Sequence, residues 1–295
     1  MTTTRITQRL MSQHSMSSLQ LNLNRLSNSQ DKLSSGRSIN RPSDSPTGTN
    51  DAMRLRAALA EGEQHSTNAA DATSWLDHAD STLGSMTRSM QRVRDLVVQG
   101  ANTGANGTIA REALAVELTQ IRTSMLADAN TKHLGRPMFG GTTGGSTAYD
   151  ASGTYVGDSN TVDRTIGDGV NVSVNVVGPD AFSTADDDLF KVLDDAITQL
   201  RSSPSELSGT IDRVDAMSLK MTSALADIGS RQARVDASSN GLSMSALTNK
   251  TSLSNVEGVD IAAAIMDVQM QTTAYQAALG ATAKVIQPSL LDFLR

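Results

Sequence analysis

Side chains able to carry catalytic or metal chemistry are few and widely spaced in this 295-residue sequence. Cysteine is absent, which excludes a thiolate nucleophile and any cysteine-based metal site. No two histidines have the H-x-x-x-H spacing of a helical metal pair, and Asp77-His78 with Asp80 is typical of a solvated helix face. The histidines are His14, His65, His78 and His133. We therefore predict no catalytic residue, no metal ligand and no cofactor.

The other candidate motifs also have structural explanations. The glycine-rich runs lack the Gly-Lys-Ser/Thr ending of a phosphate-binding loop. Asp186, Asp187 and Asp188 lack the partner ligands that an EF-hand calcium site requires. Methionines at helical spacing indicate an adaptable core, and these are Met86, Met90, Met217 and Met221. The sequence thus predicts that the protein is not an enzyme.

Charge and hydropathy narrow the range of partners. The chain has a net charge of −6 and a sequence pI of about 5.2, and its basic residues are scattered singly, so we predict no nucleic-acid partner. No apolar stretch approaches the roughly 18 residues of a membrane helix. The first nine residues lack the apolar region of a cleaved signal peptide. We expect no membrane span, and export, if it occurs, without an ordinary secretory signal.

Both ends of the chain carry a heptad pattern of apolar residues. The pattern alternates steps of three and four from Met16 and steps of four and three from Ile261. This spacing places a narrow apolar stripe on one face of a long helix and is typical of helices that pack against other helices. We predict an assembly interface formed by Met16, Leu19, Leu23, Leu26, Leu33, Ile261, Ile265, Val268, Tyr275, Leu279 and Ile286.

Local signals predict the helix boundaries. The first helix is expected at residues 4–35, with Gly36 as its left-handed C-cap. Pro42 and Pro46 interrupt the helical pattern and predict a hinge, and Ser45 with Pro46 predicts the N-cap and first residue of a helix over 46–99. A third helix is expected from Thr108 to about residue 135.

The central part of the sequence differs from the rest in composition and periodicity. Residues 136–185 are glycine-rich and contain alternating valines from Val170 to Val176, the pattern of a half-buried strand. Helix is predicted to restart over Thr184–Asp188, with the aspartates in its first turn. Ser203–Glu206 predicts a capping box that opens the next long helix, whose end is expected at Asn255–Gly258, before the terminal helix.

This order predicts a mainly α fold: an elongated antiparallel helical bundle or coiled coil formed by the N- and C-terminal segments, with a small β-rich domain inserted at the tip. We expect three domains: a terminal coiled coil of residues 1–42 and 256–295, a helical rod of 43–135 and 186–255, and a β-rich outer domain of 136–185. Because the terminal seams are narrow and flanked by small residues, we expect these ends to become stable only when other subunits cover them.

Three segments resemble the flagellin superfamily. The run from Lys32 to Pro46 is similar to its N-terminal signature, and the Pro-Ser-Asp-x-Pro form at 42–46 is similar to the hook–filament junction branch rather than to filament flagellin. The segment Leu134–Thr142 is similar to the motif that closes the N-terminal helical half in that branch. The tail, Gln271–Leu279 and Leu290–Arg295, resembles the shared C-terminus.

The resemblance implies a structural subunit that is secreted unfolded by the flagellar type III pathway and located in the bacterial flagellum at the hook–filament junction. The partners it implies are identical subunits in a ring, the first hook-associated protein and flagellin; an amphipathic C-terminal helix also suggests an export chaperone. Two alternatives stay open: flagellin itself, the filament subunit, and more remotely a coiled-coil signalling protein.

Overall fold

The computed structural model describes residues 2–102 and 107–286. Its long helices are α1 (Thr2–Ser35), α2 (Pro46–Ala101), α3 (Thr108–Ala129), α6 (Leu207–Glu257) and α7 (Ile261–Ile286). Two shorter helices, α4 (Gly178–Phe182) and α5 (Leu189–Ser202), lie between α3 and α6 in the sequence, and a 3₁₀ turn spans Pro204–Glu206. The predicted motif Leu290–Arg295 lies outside the described residues.

Two small antiparallel hairpins occupy the middle of the chain. Strand β1 (Lys132–His133) pairs with β2 (Arg136–Pro137), and β3 (Asp163–Gly167) pairs with β4 (Val170–Ser173) with an irregular register near Gly167. The fold is therefore mainly α with a small β region between α3 and α5, as the sequence predicts. The alternating valines form a strand only as far as Ser173, although Val172, Val174 and Val176 are buried.

Several predicted helix boundaries agree with the structure. Helix α1 ends at Ser35 and Gly36 has φ of +68°, the left-handed backbone expected of a glycine C-cap. Helix α2 begins at Pro46, where the Ser45 hydroxyl accepts a hydrogen bond from the Gly48 amide at 3.2 Å. Helix α6 ends at Glu257, within the predicted range.

Three boundary predictions were wrong. Helix α3 ends at Ala129 rather than near residue 135, because the chain turns at Asn130 into the β1–β2 hairpin. Helix does not restart over Thr184–Asp188: α5 begins at Leu189, and Asp188 has extended backbone while its side chain accepts from the Phe190 amide as an N-cap. The predicted capping box does not form, because Ser203 makes no side-chain capping bond and the 3₁₀ turn precedes α6.

The chain divides into two compact units, one of residues 1–60 and 246–295 and one of 61–245. The second unit holds the large core, to which one face of α2 contributes Leu76, Leu83, Met86, Met90 and Val93. Against these side chains pack buried residues of α3, α5 and the first part of α6. An aromatic cluster completes this core, and its members are Phe139, Tyr149, Phe182 and Phe190, with ring centroids 5.0–5.9 Å apart.

Candidate assembly interface

The first unit is built on the pairing of α1 with α7. The Ser29 hydroxyl donates to the Asp267 carboxylate at 2.6 Å, and at the adjoining end Arg37 forms an antiparallel bridge with Gly258. Both pairs of residue numbers add to nearly the same value, which is the signature of antiparallel neighbours. The two ends of the sequence therefore form one antiparallel helical pair.

The surface at which these helices meet is small and polar. Among the described side chains, the most buried on α7 are Ala264 and Thr282, and the most buried on α1 is Ser29. The Thr282 hydroxyl donates back to the carbonyl of Ala278 within its own helix, at 2.8 Å. Such residues allow a close approach of the helices but bury little apolar area, so hydrophobic burial contributes little stability to the isolated pair.

The predicted apolar stripe lies at the edge of this contact. Leu19, Leu26, Leu33, Val268 and Tyr275 are half-buried. Met16, Leu23, Ile261, Ile265 and Leu279 are exposed, and the side chain of Ile286 lies outside the described side chains. Further exposed apolar residues on the same two helices are Leu10, Leu21, Met266 and Met270. The partner helix therefore covers part of each apolar stripe, and the rest of the stripe is exposed. The role of the stripe in assembly stays a prediction.

The segment after α1 is tied to the α6–α7 junction by backbone pairing. The Ser38 amide donates to the Glu257 carbonyl at 2.6 Å, and the Val259 amide donates to the Gly36 carbonyl at 3.2 Å. The Glu257 side chain is buried and accepts from Arg56 at 2.7 Å, with Arg37 a further 3.8 Å ion-pair partner. This buried carboxylate and both arginines line one small cavity of about 240 Å³.

The proline segment forms a hydrogen-bonded turn. The Asp44 amide donates to the Arg41 carbonyl at 2.9 Å, with Pro42 inside the turn, and the Asp44 carboxylate accepts from the amides of Arg41 and Asn40 at 2.9 and 3.0 Å. The bond from Arg41 first, and then that from Asn40, lowers the pKa of the Asp44 carboxyl. The structure thus places Pro42 inside a turn and Pro46 at the first position of α2, and their action as a hinge stays a prediction.

The second unit contains a pair of histidines that sequence spacing does not reveal. His78 on α2 and His133 on β1 have ring centroids 5.8 Å apart, and the His133 ring also packs at a tilt against Trp75, with centroids 4.6 Å apart. Burial first, and then the charge of His78, lowers the pKa of His133. No group of three or more metal-ligating side chains converges within residues 2–102 and 107–286, and no helix in that part of the chain is long and apolar enough to cross a membrane.

Known proteins match this chain over most of its length. The flagellar filament 33 kDa core protein of Treponema phagedenis is 27% identical over 90% of this chain and 91% of its own. The flagellar hook-associated protein 3 of Salmonella typhimurium is 25% identical over 84% of this chain and 86% of its own. The solved flagellar hook associated protein-3 of Legionella pneumophila has a TM-score of 0.63 at 14% identity, covering 69% of this chain and 98% of its own, which shows a shared fold.

Family models match both ends of the chain. The model of the bacterial flagellin N-terminal helical region covers residues 6–143, and that of the C-terminal helical region covers residues 211–294. These ranges include α1, α2, α3 and α7 and most of α6, which are the helices that build the terminal pair and much of the core of the second unit. The chain belongs to the flagellin family.

Proposed function

We propose that this chain is a structural subunit of the bacterial flagellum, located at the hook–filament junction and assembled through its terminal helices. The carrying observation is the uncovered apolar surface of the α1–α7 pair. Ile261 and Ile265 are 62% and 49% exposed on α7, and Met16 is 61% exposed on α1. Large aliphatic side chains left exposed along two paired helices are typical of a contact with another protein.

The small, polar contact within the pair supports the same proposal. A helical pair that met through its large aliphatic residues would be complete within one chain. Here the close contact uses Ser29 and Ala264, so the aliphatic side chains beside it stay available to neighbouring subunits. The contact between α1 and α7 is therefore complete, while the aliphatic side chains beside it remain exposed for contacts with other subunits, as a subunit of a larger assembly requires.

The junction position is supported by the near full-length match to the hook-associated protein 3 of Salmonella typhimurium and by the Pro-Ser-Asp-x-Pro segment at 42–46. The partners we propose are identical subunits in a ring, the first hook-associated protein on one side and flagellin on the other. We further propose that the chain is secreted by the flagellar export pathway, with a chaperone covering α7 before export. A structural role of this kind requires no catalytic site.

Labelling by electron microscopy tests the position. An epitope inserted between Gly144 and Gly145, which are both exposed in the 61–245 unit, avoids the terminal helices. Gold-labelled antibody is expected at one narrow band next to the hook on each flagellum. The untagged parent strain, stained in the same way, is the control. Label along the whole filament, instead of at one band, would overturn the proposal.

A filament subunit is the second candidate, and it is favoured by the 27% identity to the Treponema phagedenis filament core protein. Two experiments separate the candidates. A filament subunit is labelled along the whole filament, and the purified chain polymerises when it is mixed with filament fragments. A junction subunit stays monomeric with such fragments, and a strain that lacks it releases flagellin into the medium.

A further inference from the structure

A groove in the 61–245 unit contains a pair of histidines that the assembly function does not use. His78 on α2 and His133 on β1 lie next to each other, with ring centroids 5.8 Å apart and planes inclined at 49°. Both residues line this groove together with Ser74, Asp77 and Ser81. We propose that the groove binds one divalent transition-metal ion through the imidazoles of His78 and His133.

The distance between the rings suits such an ion. Metal–imidazole bonds are about 2.0–2.1 Å long, which places each ring centroid roughly 3 Å from the metal. Two rings bound at an angle between tetrahedral and linear then have centroids about 5–6 Å apart. The centroid separation in the structure, 5.8 Å, lies in that range.

Both imidazoles are available as ligands. Within residues 2–102 and 107–286, the ring nitrogens of His78 and His133 make no hydrogen bond and no ion pair, in contrast to His65, whose ring contacts the Thr165 carbonyl and Glu61. A metal ion bound by one nitrogen of each ring would give both rings a polar partner.

The rest of the groove favours a cation. Asp77 lines it, and one oxygen of its carboxylate accepts a hydrogen bond from the Gln232 side chain at 2.8 Å, so the groove carries negative charge. Because no third ligating side chain converges with the two rings in the described chain, water fills the remaining coordination positions. Imidazole and water ligands favour Cu²⁺, Ni²⁺ and Zn²⁺ over Mg²⁺ and Ca²⁺, and the general order of affinity places Cu²⁺ first.

Binding at this position links two elements that are distant in sequence. His78 is on α2, and His133 belongs to the β1–β2 hairpin, whose turn residues Leu134 and Gly135 both have positive φ. The hairpin consists of only two residues in each strand, so backbone pairing alone holds it weakly. A bound ion ties the hairpin to α2 and stabilises this part of the unit.

The only tryptophan of the chain provides the assay. Trp75 lies 4.6 Å from the His133 ring, between ring centroids. Titration of untagged protein with Cu²⁺ is expected to quench its fluorescence with saturation at one ion per chain, and excess Zn²⁺, which does not quench, is expected to restore it. His78→Gln and His133→Gln are each expected to weaken Cu²⁺ binding at least about tenfold, the loss of about 1.4 kcal/mol.

His14→Gln is the matched control, since His14 is exposed on α1 in the other compact unit. It is expected to leave the Cu²⁺ affinity unchanged. Circular dichroism verifies that each variant is folded; if His133→Gln is not, His78→Gln decides the test. A second measurement is thermal melting, in which Zn²⁺ is expected to raise the melting temperature of the native chain but not that of His78→Gln. Quenching without saturation, or equal affinity in His78→Gln and the native chain, overturns the proposal.

Discussion

Replacing the exposed apolar residues of α7 separates assembly from folding. The perturbation is the triple variant Ile261→Ser, Ile265→Ser and Leu279→Ser. These side chains are 62%, 49% and 44% exposed, so the isolated chain gains only part of their burial energy. Isoleucine and serine have similar intrinsic helix propensities, and the leucine replacement costs only a few tenths of a kcal/mol. Helix α7 should therefore form as readily in the variant.

The expected effect on assembly follows from the exposed fractions. Full burial of such a side chain is worth about 1.5–3 kcal/mol. For the surface that remains exposed on the three residues, burial against neighbouring subunits is worth about 2–5 kcal/mol per subunit. The serine variant lacks this burial energy. Since every 1.4 kcal/mol is a factor of ten, the triple variant should bind its neighbours about thirty to a few thousand times more weakly.

The assay compares exported with incorporated protein. Epitope-tagged chains are quantified in purified flagella and in the culture medium, with circular dichroism and urea unfolding of the purified monomer as folding controls. The triple serine variant is expected in the medium and not in flagella. A matched variant with Ile261→Leu, Ile265→Leu and Leu279→Met keeps the apolar surface and the helix propensity, so it should be incorporated like the native chain.

Three results would refute the reasoning. Incorporation of the serine variant at the native level would mean that these positions do not contact neighbouring subunits. Equal loss of incorporation in the matched variant would mean that shape at these positions, rather than apolar burial, controls assembly. Retention of the serine variant inside the cell would show a defect in export. If the chains that are still secreted were then incorporated at the native level, the prediction would also be contradicted.

Three further outcomes are expected for the first unit. Glu257→Gln removes the charge that pairs with Arg56, which is nearly half exposed, so urea unfolding should show a loss of about 1 kcal/mol in the free energy of unfolding. Gly258→Ala places a Cβ 2.3 Å from the Ser254 carbonyl oxygen, and the same measurement should show a loss of about 1–3 kcal/mol. Because folding lowers the pKa of the Asp44 carboxyl, its stabilisation of the turn is present above the ordinary carboxyl range and is lost as pH falls through the lowered pKa. In the native chain, the protection of the amides of residues 40 and 41 from exchange should therefore decrease in acid. Asp44→Asn should show no such acid-dependent decrease.

The helix ends of the first unit were predictable because their causes are local. A glycine in left-handed backbone ends α1 at Gly36, and a serine cap followed by proline begins α2 at Pro46. The start of α5 was not predictable in the same way. Three successive aspartates are favourable in a first helical turn, but Asp187 pairs with Arg213 of α6, and this contact between distant parts of the chain leaves Asp188 as the cap.

The heptads correctly predicted long terminal helices with an apolar stripe, but not the face that each helix turns to the other. That face is selected by contacts across more than 200 residues, such as the Ser29–Asp267 hydrogen bond, which draws the small polar surfaces together. Periodicity records which residues share a face of one helix and carries no information on the rotation of that helix against its partner.

The sequence by itself determined the mainly helical fold, the ends of α1 and the start of α2, and it contains no closely spaced catalytic or metal-binding motif. All of these features depend on residues within a few positions of one another. Only the tertiary structure decided that the aliphatic residues at the edge of the terminal pair stay exposed and that His78 and His133 meet. Both results come from packing between elements distant in sequence, where the closest approach is set by the sizes and polarity of side chains on separate helices and hairpins.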